Sequence, residues 1–194
     1  FARSKSCPRR QKKVNLPVRL SPETGWNLVA LTAGAVYPLA LAPFHHWWLG
    51  ILAVALLCGL LHNTSPGRSF RRGFFFGLGL FAAGASWIYI SIHVYGMAPP
   101  WLAATLTGLF VAGLAVLFAL PFLLYGCLDR RRSLVVLLVF PAIWLLGEWL
   151  RGWFLTGFPW LYLGYGALDT WLSGWAPLVG VLGLTAAAAF SGTV

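Results

Sequence analysis

An all-α fold is expected: a polytopic helical membrane protein with about five complete transmembrane helices and a partial sixth. Three observations carry that expectation. Hydrophobic residues make up 59% and charged residues 9% of the 194-residue chain, against roughly 45–50% and 25% in soluble proteins. The apolar residues fall into long runs, and the bases gather in the short segments between them. Four acids and fourteen bases cannot cover that much apolar surface in water, and disordered chains are poor in the aromatics that abound here.

The elements follow in order. Residues 1–22 read as a basic cytoplasmic tail and residues 23–194 as a transmembrane helical domain. Seven of the fourteen bases lie between Arg3 and Arg19; the others are Arg68, Arg71, Arg72, Arg130, Arg131, Arg132 and Arg151. The first apolar stretch covers residues 26–42 and the second residues 47–61, separated by Pro43 and the His45–His46 pair. Both are shorter than the ~20 residues of a perpendicular span, so they read as a short helical hairpin. The third covers residues 73–93, the fourth 101–125 and the fifth 134–154, and the sixth opens near Pro177. Bases in alternate loops predict a cytoplasmic N-terminus. No basic stripe lies on a soluble element, which argues against nucleic acid as a partner despite the net charge of +10.

Ala40-Leu41-Ala42 looks like a small-residue cleavage site after a basic start, but Pro43 and the spans that follow favour an uncleaved first span. The chain begins with Phe1 rather than Met and stops at Val194 inside an apolar run, so it is expected to be a piece of a longer protein. Cys7, Cys58 and Cys127 map to the cytoplasmic side and have no paired spacing, so neither a disulfide nor a zinc site is expected.

Gly73 and Gly77, then Gly79 and Ala83, form small-x-x-x-small pairs that let helix backbones approach in lipid. Ser86, Tyr89 and His93 lie at i, i+3 and i+7 near the outer end of the third span. They read either as interfacial anchors or as the lining of a cavity. On the fifth span Trp144, Glu148 and Arg151 share one face, and the i, i+3 spacing of Glu148 and Arg151 allows an ion pair. That pair is either a functional site or a structural pin. The Gly/Pro-broken aromatic run Thr156-Gly157-Phe158-Pro159-Trp160 through Tyr162 and Tyr165 follows. It reads as a lipid-cradling loop or an interfacial belt. No metal-binding, phosphate-binding or nucleophile motif is present.

The runs Gly84-Ala85-Ser86-Trp87-Ile88-Tyr89-Ile90-Ser91-Ile92-His93 and Glu148-Trp149-Leu150-Arg151-Gly152-Trp153 resemble segments of bacterial apolipoprotein N-acyltransferases. So do Leu155-Thr156-Gly157-Phe158-Pro159-Trp160 and Gly164-Tyr165, over about residues 26–194 in the same order. Departures occur at Tyr95-Gly96-Met97-Ala98-Pro99 and Gly166-Ala167, where family members often carry Gly-Gly-Met-Pro and Ser-Gln. The resemblance implies an inner-membrane acyltransferase that moves a fatty acyl chain from a phospholipid donor to the N-terminal diacylglyceryl-cysteine of an apolipoprotein acceptor. It needs no cofactor. The family's Glu–Lys–Cys triad belongs to a nitrilase-like domain, and no residue here matches it, so this chain alone is expected to be inactive. Glu148, Arg151, Phe158, Pro159, Trp160, Tyr165, Tyr89 and His93 are the candidate substrate-binding or domain-bracing residues. The alternative is a non-catalytic membrane protein that binds lipid or acts as a scaffold.

Overall fold

The computed structural model describes residues 22–128 and 133–194. The expected tail, apart from Pro22, and the Arg130–Arg132 cluster lie outside the described residues.

Eight α-helices, joined by loops, short 3₁₀ turns and one π-helical turn (Ser91–Tyr95), make up the described residues, which contain no strand. They are α1 (Pro22–Val36), α2 (Trp47–Leu60), α3 (Pro66–Gly84), α4 (Trp87–Ile90), α5 (Pro100–Cys127), α6 (Ser133–Trp153), α7 (Leu163–Gly166) and α8 (Ala176–Ser191). Prolines open α1, α3 and α5, where a missing N–H costs the helix nothing.

Among the described residues three helical segments are long and apolar enough to cross a membrane: Pro100–Cys127, Leu134–Thr156 and Trp171–Ser191. A fourth is counted if α3 and the segment Trp87–Tyr95, bent by 50°, form one broken span. The hairpin read from residues 26–61 is present as α1 and α2, of 15 and 14 residues. At 1.5 Å per residue each is roughly 22 Å long, short of a ~30 Å hydrocarbon core. The last segment is interrupted at Gly180, which has a φ of 66°.

Packing is driven by close contact, because lipid tails are as apolar as the side chains and give no hydrophobic preference for burial. Two devices provide it. Gly34 and Gly79 let α1 and α3 cross backbone to backbone: a Cβ on Gly79 would overlap the Leu31 carbonyl, and one on Gly34 would overlap that of Phe76. Gly73 and Gly77 do the same for α3 on α5, facing Phe122 and Ala115. The second expected small-residue pair is thus half realised, since Gly79 packs and Ala83 stays exposed. The other device is a knot of buried rings. Trp144 of α6 lies edge-on to Phe76 of α3 at 5.8 Å and to Phe118 of α5 at 5.3 Å.

Gly79→Val is therefore expected to cost about 3 kcal/mol, lowering the thermal midpoint by roughly 6–12 °C. Gly108→Ala, on α5 where a Cβ meets nothing within 4 Å, is the control and should be neutral or slightly stabilising. Thermal unfolding in detergent compares the two.

Candidate functional site

Beyond Trp144, the face of α6 that enters the core becomes polar. Glu148, Arg151 and Thr185 are each no more than 1% exposed. Carboxylate and guanidinium groups are costly to bury unless their hydrogen-bonding capacity is met, and their partners show how this is done.

Glu148 Oε1 accepts hydrogen bonds from Trp144 Nε1 at 3.0 Å and from the Leu163 backbone N–H at 2.8 Å. Its Oε2 accepts one from the Thr185 hydroxyl at 2.6 Å. Thr185 Oγ1 in turn accepts from the Gly164 N–H at 2.9 Å. The first two amides of α7, which have no partner within a helix, are thus taken by Glu148 and Thr185. One carboxylate ties α6, α7 and α8 together.

Arg151 lies one turn further along. Its guanidinium stands over the rings of Phe81 (5.2 Å) and Tyr162 (5.0 Å), and Nη2 donates to the Leu161 carbonyl at 3.3 Å. The Tyr37 hydroxyl donates to the same carbonyl at 3.4 Å. The i, i+3 spacing allowed a direct Glu148–Arg151 ion pair, but none forms within 4 Å among the described residues. The reason is local. The chain that folds back over α6 offers each group a better-placed partner, amides for the acid and a carbonyl with two rings for the base. Partial burial raises the Tyr162 phenol above its ordinary value, with Arg151 acting in the opposite direction, so the ring meets Arg151 uncharged at neutral pH.

The fold-back needs unusual backbone. Leu155, Thr156 and Gly157 follow one another at φ of 49°, 79° and 84°, the left-handed region that non-glycine residues enter only where the surroundings over-determine it. The Phe158 amide then bonds back to the Arg151 carbonyl at 2.7 Å. The Phe158 ring is buried, 5.3 Å from Phe110 and 5.1 Å from Trp160. Trp160 is exposed and reaches Trp87 at 6.3 Å, while Pro159 is exposed beside it. Gly152 leaves room for the Tyr162 hydroxyl, which a Cβ would strike. Between this loop and α5 lies an apolar groove of about 320 Å³, lined by Phe110, Gly113, Leu117, Arg151, Leu155 and Phe158 among others.

Of the candidate residues, Glu148, Arg151 and Phe158 meet at one place. Tyr165 joins at its edge, stacked on Tyr162 at 5.7 Å. Tyr89 and His93 do not join. Their rings pair with each other at 5.5 Å, and His93 Nδ1 lies 2.8 Å from the Ala98 carbonyl, closing the turn before α5. Neither hydrogen-bonds to Glu148 or Arg151 among the described residues. Sequence reasoning missed Tyr37 and Thr185. Thr185 had a signal, as the one polar side chain between Pro177 and Phe190; Tyr37 had none beyond its hydroxyl in an apolar run. Tyr37→Phe is expected to cost about 1 kcal/mol or less, given the long bond it removes, as read by thermal unfolding.

All-helical among the described residues, with helices long and apolar enough to cross a membrane and a loop clasped on a buried acid and base, the fold defines the class: a helical membrane protein. Its family is identified by comparison. Residues 33–194 match the model of the apolipoprotein N-acyltransferase N-terminal domain, and the chain belongs to that family. It is 50% identical over 173 residues to an apolipoprotein N-acyltransferase of Pseudomonas syringae, covering 84% of this chain and 34% of that protein. A Pseudomonas putida relative of the same name is 51% identical, with the same two coverages. One from Coxiella burnetii is 42% identical over 166 residues, again covering 84% of this chain and 34% of the relative. The chain spans about a third of the length of these curated relatives.

Proposed function

We propose that the chain is the membrane portion of an acyltransferase that moves a fatty acyl chain from a phospholipid to the N-terminal diacylglyceryl-cysteine of bacterial lipoproteins. It sits in the inner membrane with its N-terminus in the cytoplasm, α1 and α2 forming a short hairpin beside the longer spans. The chemistry belongs to a further domain of the full-length enzyme, and this portion brings two acyl-bearing substrates to it from the bilayer.

The observation that carries this reading is the clasp of Glu148, Thr185 and Arg151, which holds the loop of residues 154–166 beside an apolar groove. Glu148 and Arg151 act as positioning residues. They fix the outer end of α6 and the loop beneath the catalytic domain, and Phe158 forms one wall of the groove. Pro159, Trp160 and Tyr165 face outward, where acyl chains or that domain would meet them. Tyr89 and His93 serve as anchors at the same membrane surface.

The test is acyl transfer by the full-length protein, reconstituted with phospholipid and a diacylated lipopeptide. The peptide should gain the mass of one fatty acyl chain on its N-terminal amine. A peptide left diacylated by folded protein, which nonetheless retains lipid, would favour a non-catalytic lipid-binding role instead.

A further inference from the structure

The start of α3, which carries Arg68, Arg71 and Arg72, borders a second feature, separate from the clasp. An open apolar groove runs between α1 and α2. Its wider part, about 590 Å³, is lined by Trp26, Leu52, Gly59, His62 and Arg72 among others. A narrower part of about 230 Å³ continues it along the same two helices to Val36 and Leu49, sharing Val29, Leu52 and Leu56 with the first. From Trp26 to Val36 the groove follows about 15 Å of helix.

Only one end of it is charged. Glu23 Oε2 lies 2.7 Å from Arg71 Nη2 and 3.6 Å from Arg72 Nη2, and Oε1 lies 3.5 Å from Arg68 Nη1. Three guanidinium groups thus face a single carboxylate, which leaves a surplus of two positive charges. Arg68 Nε also donates to Ser65 Oγ at 3.2 Å. Arg72 is only 7% exposed: it donates from Nη1 to the Leu60 carbonyl and stands 6.0 Å from the Trp26 ring, and its buried Nε has no partner. A basic pocket between membrane helices, opening into an apolar slot, is suited to an anionic lipid headgroup with its chain alongside.

We infer that the α1–α2 groove is a binding site for one anionic phospholipid, its phosphate held at Arg72 and its neighbours and an acyl chain lying between the helices. The occupant is chosen by charge. The chain's own segment before Pro22 carries seven bases and no acid, so the basic end of the groove repels it. A zwitterionic lipid would gain little from the surplus charge. The site is distinct from the groove beside Arg151, which lies between α5 and the loop after α6.

The experiment is native mass spectrometry of the full-length protein, released from nanodiscs of phosphatidylcholine containing a minority of phosphatidylglycerol. Wild type should retain one phosphatidylglycerol in preference to phosphatidylcholine. Arg72→Met should weaken that retention on the order of five-fold. Gly59→Phe plugs the groove while keeping every base, and a Cβ at Gly59 meets nothing within 4 Å; it should abolish the preference with the wild-type thermal midpoint intact. If Arg72→Met fails to fold, Gly59→Phe decides alone. Equal retention of the two lipids by wild type would overturn the site, as would unchanged retention in Gly59→Phe. A dimer that Gly59→Phe dissociates would also overturn it, assigning the groove to a second copy of the chain.

Discussion

Glu148→Ala is expected to destabilise the protein by roughly 3 kcal/mol or more, the largest loss for any single substitution at this site. The change removes the acceptor for Trp144 Nε1, the Leu163 amide and the Thr185 hydroxyl together. All three are buried, and an orphaned donor costs far more than a lost bond between groups that water can reach. It also leaves Arg151, 1% exposed, with no carboxylate in its neighbourhood. Glu148→Gln should cost much less. Its amide oxygen can keep the bonds from Trp144 and Leu163, and only the contact with Thr185 must reverse its polarity. Thermal unfolding in detergent ranks the variants, and equal midpoints for wild type and Glu148→Ala would remove the carboxylate from the clasp.

Arg151→Met is expected to free the loop more than it unfolds the helices. The guanidinium is held by two rings and one carbonyl. Methionine fills much of the volume and keeps a contact with the rings, but it cannot donate to Leu161. The loop of residues 154–166, wound through three consecutive positive φ values, then loses part of what holds it in that shape. Hydrogen exchange of the amides from Phe158 to Gly166 should speed up, while those of α5 stay protected. Arg151→Lys should fall between the two, because an ammonium donates to Leu161 but lacks the planar face that lies over Phe81 and Tyr162. Unchanged exchange in Arg151→Met would show that the loop is held by its apolar contacts alone.

How far the sequence allowed this to be read varies with the kind of interaction. Trp144, Glu148 and Arg151 share a face because 3.6-residue periodicity requires it, and Trp144 Nε1 does meet Glu148. Spacing along one helix says nothing about what another segment offers that face. The Leu163 amide, the Leu161 carbonyl and Thr185 come from residues further along, and they take the place of the ion pair that the spacing allows. Gly73 and Gly77 were legible as a packing seam, yet Gly79 packs on Leu31 and Ala35 of α1, and Gly34 of that helix packs on Phe76 of α3, a crossing that no pattern within α3 encodes. Composition and apolar runs identified helices of membrane-crossing length, but did not decide the number of crossings. The described residues hold three or four such segments, with α1 and α2 falling short of that length. Tyr89 and His93 were grouped with Glu148 because their positions along the spans map to the same side, whereas the His93 side chain closes a separate turn and Tyr89 pairs with its ring.

The central claim is that a buried clasp positions the loop on which acyl transfer depends. The most direct test is turnover of the reconstituted full-length protein, comparing wild type with Glu148→Gln and Arg151→Met at a temperature where all three remain folded. Wild type should add one acyl chain to the diacylated peptide, and Arg151→Met should be roughly 10-fold slower or worse, as small misplacements of a positioned substrate are. Glu148→Gln should lie between them. Wild-type turnover in both variants, with their loops more open to exchange, would contradict the account.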